Sequence, residues 1–407
     1  MFNISGTLAI LLATFFTLQN APAFAWQAQQ FSIPTADGKT TITGEIDYPD
    51  AATEQPGKLW PTVVMIPGTG LFDRDVNFGN SGTPRDMIFR DLAEQFTAAG
   101  IAVARMDYRG VLCNKLTVPP CPDCDTQAKK KAHFYKSCFR NDIRKEVTTS
   151  NIEEDIVSVF DYTLAQPAVD PSRLAIFAHS EGTFHTARLI GQNRVHPTGL
   201  LLMGLAAESP ASIIHWQIAG RPMKILEWDI NSDERLTNDE IQNGWATDRF
   251  FHGLGVTLEQ IVSPDGFWLK SDIERMREDD YKATAEDAIA IPDNAPWPEQ
   301  KTPDDVIMAS QQWWKWFFTD HRSTLDDLVQ FDGQIIAHNG TFDSQTPGDR
   351  ELGFVQARAA EFKLPPKCVL HQGVGHGMSP ASPTYGPLDE TVRASMVEDL
   401  KSLLLVK

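Results

Sequence analysis

Cationic side chains are in short supply. The 407 residues hold 36 Lys and Arg against 54 Asp and Glu, a formal net charge of −18. That deficit excludes nucleic acid as a partner, because phosphate-backbone binding draws on clustered Lys and Arg. It leaves room for divalent cations. Long apolar runs are lacking too. Beyond the first residues nothing approaches the roughly 20 apolar residues of a bilayer-crossing helix, so no integral membrane segment is expected in the mature chain. Cysteine is sparse, with five in all. Four of them, Cys113, Cys121, Cys124 and Cys138, crowd into one polar stretch.

Met1 to Ala25 contain no charged side chain. Leu8 to Leu18 is a short apolar run, and Ala23-Phe24-Ala25 forms a small-x-small site before Trp26. This pattern predicts a secretory signal peptide over 1–25, although the usual basic residue near the start is missing. The product is then secreted or periplasmic. In that compartment the four clustered cysteines suggest two disulfides, with three pairings open. The rival is a zinc site built from Cys121 and Cys124 with Cys113, Cys138 or His133. Cys368 opens an apolar run and reads as a free, buried thiol.

Strand and helix patterns alternate over much of the chain. Phe31 to Tyr48 predicts a hairpin turning at Asp37-Gly38. Strands are expected at 60–66, 101–106, 174–177 and 200–203, with helices at 85–99 and 151–166 and after Ser180. From about 209 to 330 the alternation stops. This acidic stretch reads as helical and holds eight of the ten tryptophans. Strands return at 334–338 and 368–372, with helices at 349–362 and 388–405. The order implies an α/β fold: a mostly parallel sheet with helices on both faces. The expected organisation is a core at 26–208 with a cysteine-bearing excursion at 111–147. A mainly helical cap follows at 209–330, and the core resumes at 331–407.

Such sheets carry their chemistry at the carboxyl ends of the strands. Ala178-His179-Ser180-Glu181-Gly182 sits between a strand and a helix, where a sharp turn lifts a serine hydroxyl off the strand end. The positions two before and two after must be small, and Ala178 and Gly182 are. Nucleophilic serine catalysis also needs a base and a carboxylate to orient it. The later strands run into loops holding Asp343 and His376. The order Ser180, Asp343, His376 is the one expected on this kind of sheet. Asp349 competes with Asp343 but is expected to cap the next helix. Arg74 and Arg109 either bind a substrate carboxylate or tie loops together. His179 and Glu181 are expected only to pack beside the turn.

Four places together resemble the α/β-hydrolase superfamily, in its bacterial esterase or serine aminopeptidase-like branch. They are Pro67 to Asp75, Gly100 to Gly110, Ala178 to Gly182, and the Asp343 and His376 loops. The resemblance covers about 31–208 and 331–407. It implies Ser180 as nucleophile, His376 as general base and Asp343 as its orienting acid. It also implies an oxyanion hole from the backbone N–H groups of Thr69 and Glu181.

Within the expected cap, residues 229–240 have the spacing of an EF-hand loop. Asp229, Asn231, Asp233, Thr237 and Glu240 supply oxygens, with the Arg235 carbonyl between. Glu234 stands where glycine is usual. A structural Ca2+ is expected, and no organic cofactor. The functions in contention are an exported carboxylic-ester hydrolase, a peptidase acting on short peptides, and a non-catalytic, calcium-stabilised binding protein.

Overall fold

The computed structural model describes residues 27–50, 57–79, 84–254, 256–293 and 307–405, with 55 and 295. The expected signal peptide lies outside the described residues.

Eight strands form one sheet. They are β1 (Gln27–Pro34), β2 (Thr41–Tyr48), β3 (Trp60–Ile66), β4 (Ala102–Met106), β5 (Val169–His179), β6 (Gly199–Met203), β9 (Gln334–Gly340) and β10 (Lys367–His371). Two short strands, β7 (Arg235–Thr237) and β8 (Phe267–Leu269), pair apart from it. The order across the sheet is β1-β2-β4-β3-β5-β6-β9-β10. From β4 to β10 every pairing is parallel, and β2 is antiparallel to both neighbours. This is the α/β-hydrolase fold.

The central strands are apolar on both sides, as a sheet covered on two faces requires. In β3, Val64 and Ile66 join one core with Ile152, Ile156 and Phe184. Val63 and Met65 join the other, with Phe89, Leu92 and Met396. Helices Thr149–Leu164 and Glu181–Gly191 therefore cover one face, and Ile88–Ala98 and Glu390–Leu404 the other. Every parallel strand ends at the same edge, so the loops after Ile66, Met106, His179, Met203, Gly340 and His371 gather there.

Two expectations shift in detail. The 349–362 helix is Gly348–Ala357 followed by a 3-10 turn, and Pro347 holds its N-cap. Asp349 is exposed in the first turn and does not cap. The cysteine stretch holds a helix, Gln127–Cys138. Its disulfides are Cys113–Cys138 and Cys121–Cys124, and Cys368 is free and half-buried. The second bridge uses both thiols of the zinc alternative.

The described residues between 210 and 328 lie outside the large sheet and contain helices Pro210–His215, Asn238–Thr247, Lys270–Ile289 and Gln311–Thr319. Part of the stretch has its own core, built on Trp228, Leu236, Ile241, Phe250 and Phe251. Phe342, from the loop after β9, packs into that core. No helix among the described residues is long and apolar enough to cross a membrane.

Candidate active site

Ser180 stands between β5 and its helix at φ 54° and ψ −122°. This positive-φ backbone follows from the sharp reversal of the chain. Glycines make room for it. A Cβ on Gly182 would lie 2.6 Å from the Pro67 carbonyl oxygen, and one on Gly68 would lie 2.6 Å from Ser180 Cβ. Glu181 opens the helix, so its N–H has no intrahelical acceptor.

The Asp343 and His376 loops meet beside this turn. His376 Nδ1 and Asp343 Oδ2 are 2.8 Å apart, and the two side chains are 3% and 0% exposed. Asp343 also accepts from the backbone N–H groups of Gln345 (2.7 Å) and Thr346 (2.9 Å), and from the Thr346 hydroxyl (3.0 Å). An acceptor-only carboxylate facing Nδ1 fixes the proton there and leaves Nε2 as the basic nitrogen. Gly204 is needed beneath the ring, where a Cβ would come within 3.0 Å of Cε1. The His376 N–H donates to the Pro383 carbonyl at 2.9 Å.

Ser180, His376, Thr69 and Glu181 line one cavity of about 360 Å3. Phe72, Phe78 and Phe184 line it from the core, and Met308, Trp313, Trp314 and Phe317 from the inserted stretch. No hydrogen bond joins Ser180 Oγ to His376 among the described residues. Burial and the neighbouring His376 push the pKa of His179 well down. The rings of His179 and His376 lie 4.8 Å apart.

Glu181 does more than pack. Its buried carboxylate accepts from the Thr69 hydroxyl (2.6 Å) and from Trp313 Nε1 (2.6 Å), and meets His185 Nε2 (3.2 Å). Burial opposes charge on His185, but hydrogen bonds to Glu153 and Glu181 raise its pKa to about 9. Burial raises the Glu181 pKa, yet His185, Thr69 and Trp313 bring it below the usual value. One carboxylate thus ties the turn, the Thr69 loop and the inserted helix together. Arg74 and Arg109 tie loops as well. Arg74 Nη2 meets Asp107 at 2.6 Å, and Arg109 pairs with Asp155 and Asp37.

In the 229–240 loop, oxygens at the first, third and fifth positions turn inward. Asp229 and Asn231 accept from the Asp233 N–H (3.3 and 2.9 Å), and Asp233 accepts from the Arg235 N–H (3.0 Å). Glu234 has φ 65°, the conformation glycine usually supplies. Glu240 accepts from the Thr237 N–H (2.9 Å) and hydroxyl (2.8 Å), which caps the following helix. A second stretch of the sequence carries part of the same pattern. Counting in the same phase, 261–272 places Ser263, Asp265 and Gly266 at positions three, five and six. Gly266 has φ 87°, and Leu236 and Trp268, both at position eight, pair across β7 and β8. Ile261 and Leu269 stand where the first loop has oxygens.

No family model and no curated protein matches this chain. Solved structures do. Est1E from Butyrivibrio proteoclasticus is 14% identical, with 93% of this chain and 99% of that one covered at a TM-score of 0.45. The α/β hydrolase GrgF from Penicillium sp. sh18 is 14% identical, covering 93% and 100%, at 0.46. A puromycin-hydrolyzing peptidase of Mycobacterium tuberculosis is 16% identical, covering 95% and 41%, at 0.47. At such identities the likeness is one of chain path.

Proposed function

We propose that this protein is an exported serine hydrolase of carboxylic esters. The observation behind this reading is the 2.8 Å contact of buried Asp343 with Nδ1 of His376, whose side chain lines the same cavity as the strained Ser180 turn. Ser180 Oγ attacks the ester carbonyl as its proton passes to His376 Nε2. The backbone N–H groups of Thr69 and Glu181 receive the developing oxyanion; each such donor is worth about 3–4 kcal/mol. Collapse breaks the C–O bond, and the leaving alcohol takes the proton from His376. Water, deprotonated by His376, then attacks the acyl-serine. The acid leaves, and the proton returns to Ser180 Oγ. Apolar rings lining the cavity favour an apolar group next to the scissile bond.

The test is labelling by a fluorophosphonate probe, lost in Ser180→Ala, alongside turnover of p-nitrophenyl esters and aminoacyl anilides. Esters cleaved faster than anilides support this reading, and the reverse makes the protein a peptidase. Absent label and absent turnover leave a non-catalytic binding protein.

A structural Ca2+ in the 229–240 loop is a second proposal, favoured by the inward turn of Asp229, Asn231 and Asp233. Those residues, the Arg235 carbonyl, Thr237 and Glu240 would hold it, and the ion would supply charge neutralisation among acidic side chains. Calcium should raise the melting temperature of chelator-treated protein, and Asp229→Ala should abolish the rise. No calcium response in the unaltered protein would refute the site.

A further inference from the structure

A second cavity of about 310 Å3 adjoins the first. Gln345, Thr384 and Tyr385 line both. The second is walled by apolar groups such as Ile225, Phe251 and Leu254, and by two arginines, Arg221 and Arg277. Among the described residues no carboxylate lines it.

Three buried arginines elsewhere are amply paired with carboxylates, and a fourth, Arg144, donates to the backbone carbonyls of Arg109 and Met308. Arg105 meets Glu45, Asp47 and Asp75; Arg109 meets Asp37 and Asp155; Arg188 meets Asp320 and Asp327. Arg221 is half-buried and has no ion pair or side-chain hydrogen bond among the described residues. Burial, with no carboxylate to offset it, lowers its pKa. Arg277 reaches Asp280 through Nη1 at 3.2 Å, but its Nε is buried and unpartnered. A partly desolvated guanidinium without an anion, as at Arg221, is costly, and so is the unpartnered buried Nε of Arg277. A bound anion would remove that cost, and the planar fork of arginine suits a carboxylate.

We propose that Arg221 and Arg277 form an anion subsite selecting substrates that carry a carboxylate beyond the scissile bond. The selectivity rests on Ser180 acting as the nucleophile in the adjoining cavity. The carboxylate belongs either to a dicarboxylic half-ester or to the free C-terminus of a short peptide.

Two matched pairs separate these sources: p-nitrophenyl butyrate against p-nitrophenyl hemiglutarate, and a dipeptide against its C-terminal amide. The anionic member of one pair should be favoured by about tenfold in kcat/KM, near 1.4 kcal/mol. Arg221→Gln and Arg277→Gln should each shrink that ratio, as should raising the salt. A ratio near or below one in both pairs, or one unchanged in both variants, overturns the proposal. Calorimetry keeps it independent of the chemistry. Ser180→Ala should bind 4-phenylbutyrate more tightly than 4-phenylbutanamide, and adding Arg221→Gln should erase the difference. If the wild type takes no fluorophosphonate label and cleaves nothing, the hydrolase reading fails. Tighter binding of the acid would still uphold the subsite, and equal binding would sink it.

Discussion

Substituting Ser180→Gly should stabilise the fold while abolishing activity. At φ 54° and ψ −122° the serine occupies backbone space typical of the first central residue of a type II′ turn, where glycine is the default. Holding a side chain there costs on the order of 1–3 kcal/mol. Glycine releases that strain but loses about 0.5–1 kcal/mol through the greater freedom of its unfolded chain. The net gain is about 0.5–2 kcal/mol. Ser180→Ala keeps the Cβ, and with it both the strain and the tight approach to Gly68. Its stability should stay within about 0.5 kcal/mol of wild type. Urea midpoints of the three proteins, compared at equal slopes, give the differences. Both variants should lose ester turnover, and only glycine should gain stability. A glycine variant less stable than the alanine variant would show that the turn stores no strain.

Three more outcomes follow from the same coordinates. Asp343→Asn should lower kcat by on the order of 10^4 with little change in KM, because an amide cannot hold the proper His376 tautomer; steady-state kinetics on one ester measures it, and a small loss would assign the acid elsewhere. The folded pKa of His185 lies above its ordinary 6.5, at about 9, so its charge stabilises fully below about pH 6.5 and the contribution fades toward pH 9. His185→Gln should therefore destabilise more at about pH 6 than above pH 9, and equal losses in urea titrations would refute the charged pairing. Removing the Cys113–Cys138 bridge, with its separation of 25 residues, should cost about 3.5 kcal/mol by loop entropy; the Cys121–Cys124 bridge should cost about 2 kcal/mol, and the reverse order in denaturation would contradict it.

What could be foreseen from residues alone was the sheet and the side chains at its edge. Strand patterns are local: β3 was expected at 60–66 and lies there. Asp343 and His376 follow strands directly, so topology alone brings them together. The Glu181 network left no such trace. Its Trp313 partner lies 132 residues away in sequence, and neither residue is part of a periodic pattern. The tryptophans were a compositional fact that sequence left ambiguous between cavity and core, and among the described residues there are examples of each. Trp313 and Trp314 line the cavity, whereas Trp228 is buried in the core of the insertion. The role of Arg221 and Arg277 was invisible because a guanidinium facing a cavity is defined by what surrounds it.

Phe342 immediately precedes Asp343, yet its ring sits edge-on to Phe250 at 6.0 Å, with the Arg249 guanidinium over it. Arg249 also donates to the Pro380 carbonyl at 2.8 Å, in the segment that follows His376. An engineer excising the insertion to widen access would strip the anchor from both neighbouring loops at once. A transplanted replacement would have to bring its own aromatic socket for that ring before any new specificity could be judged.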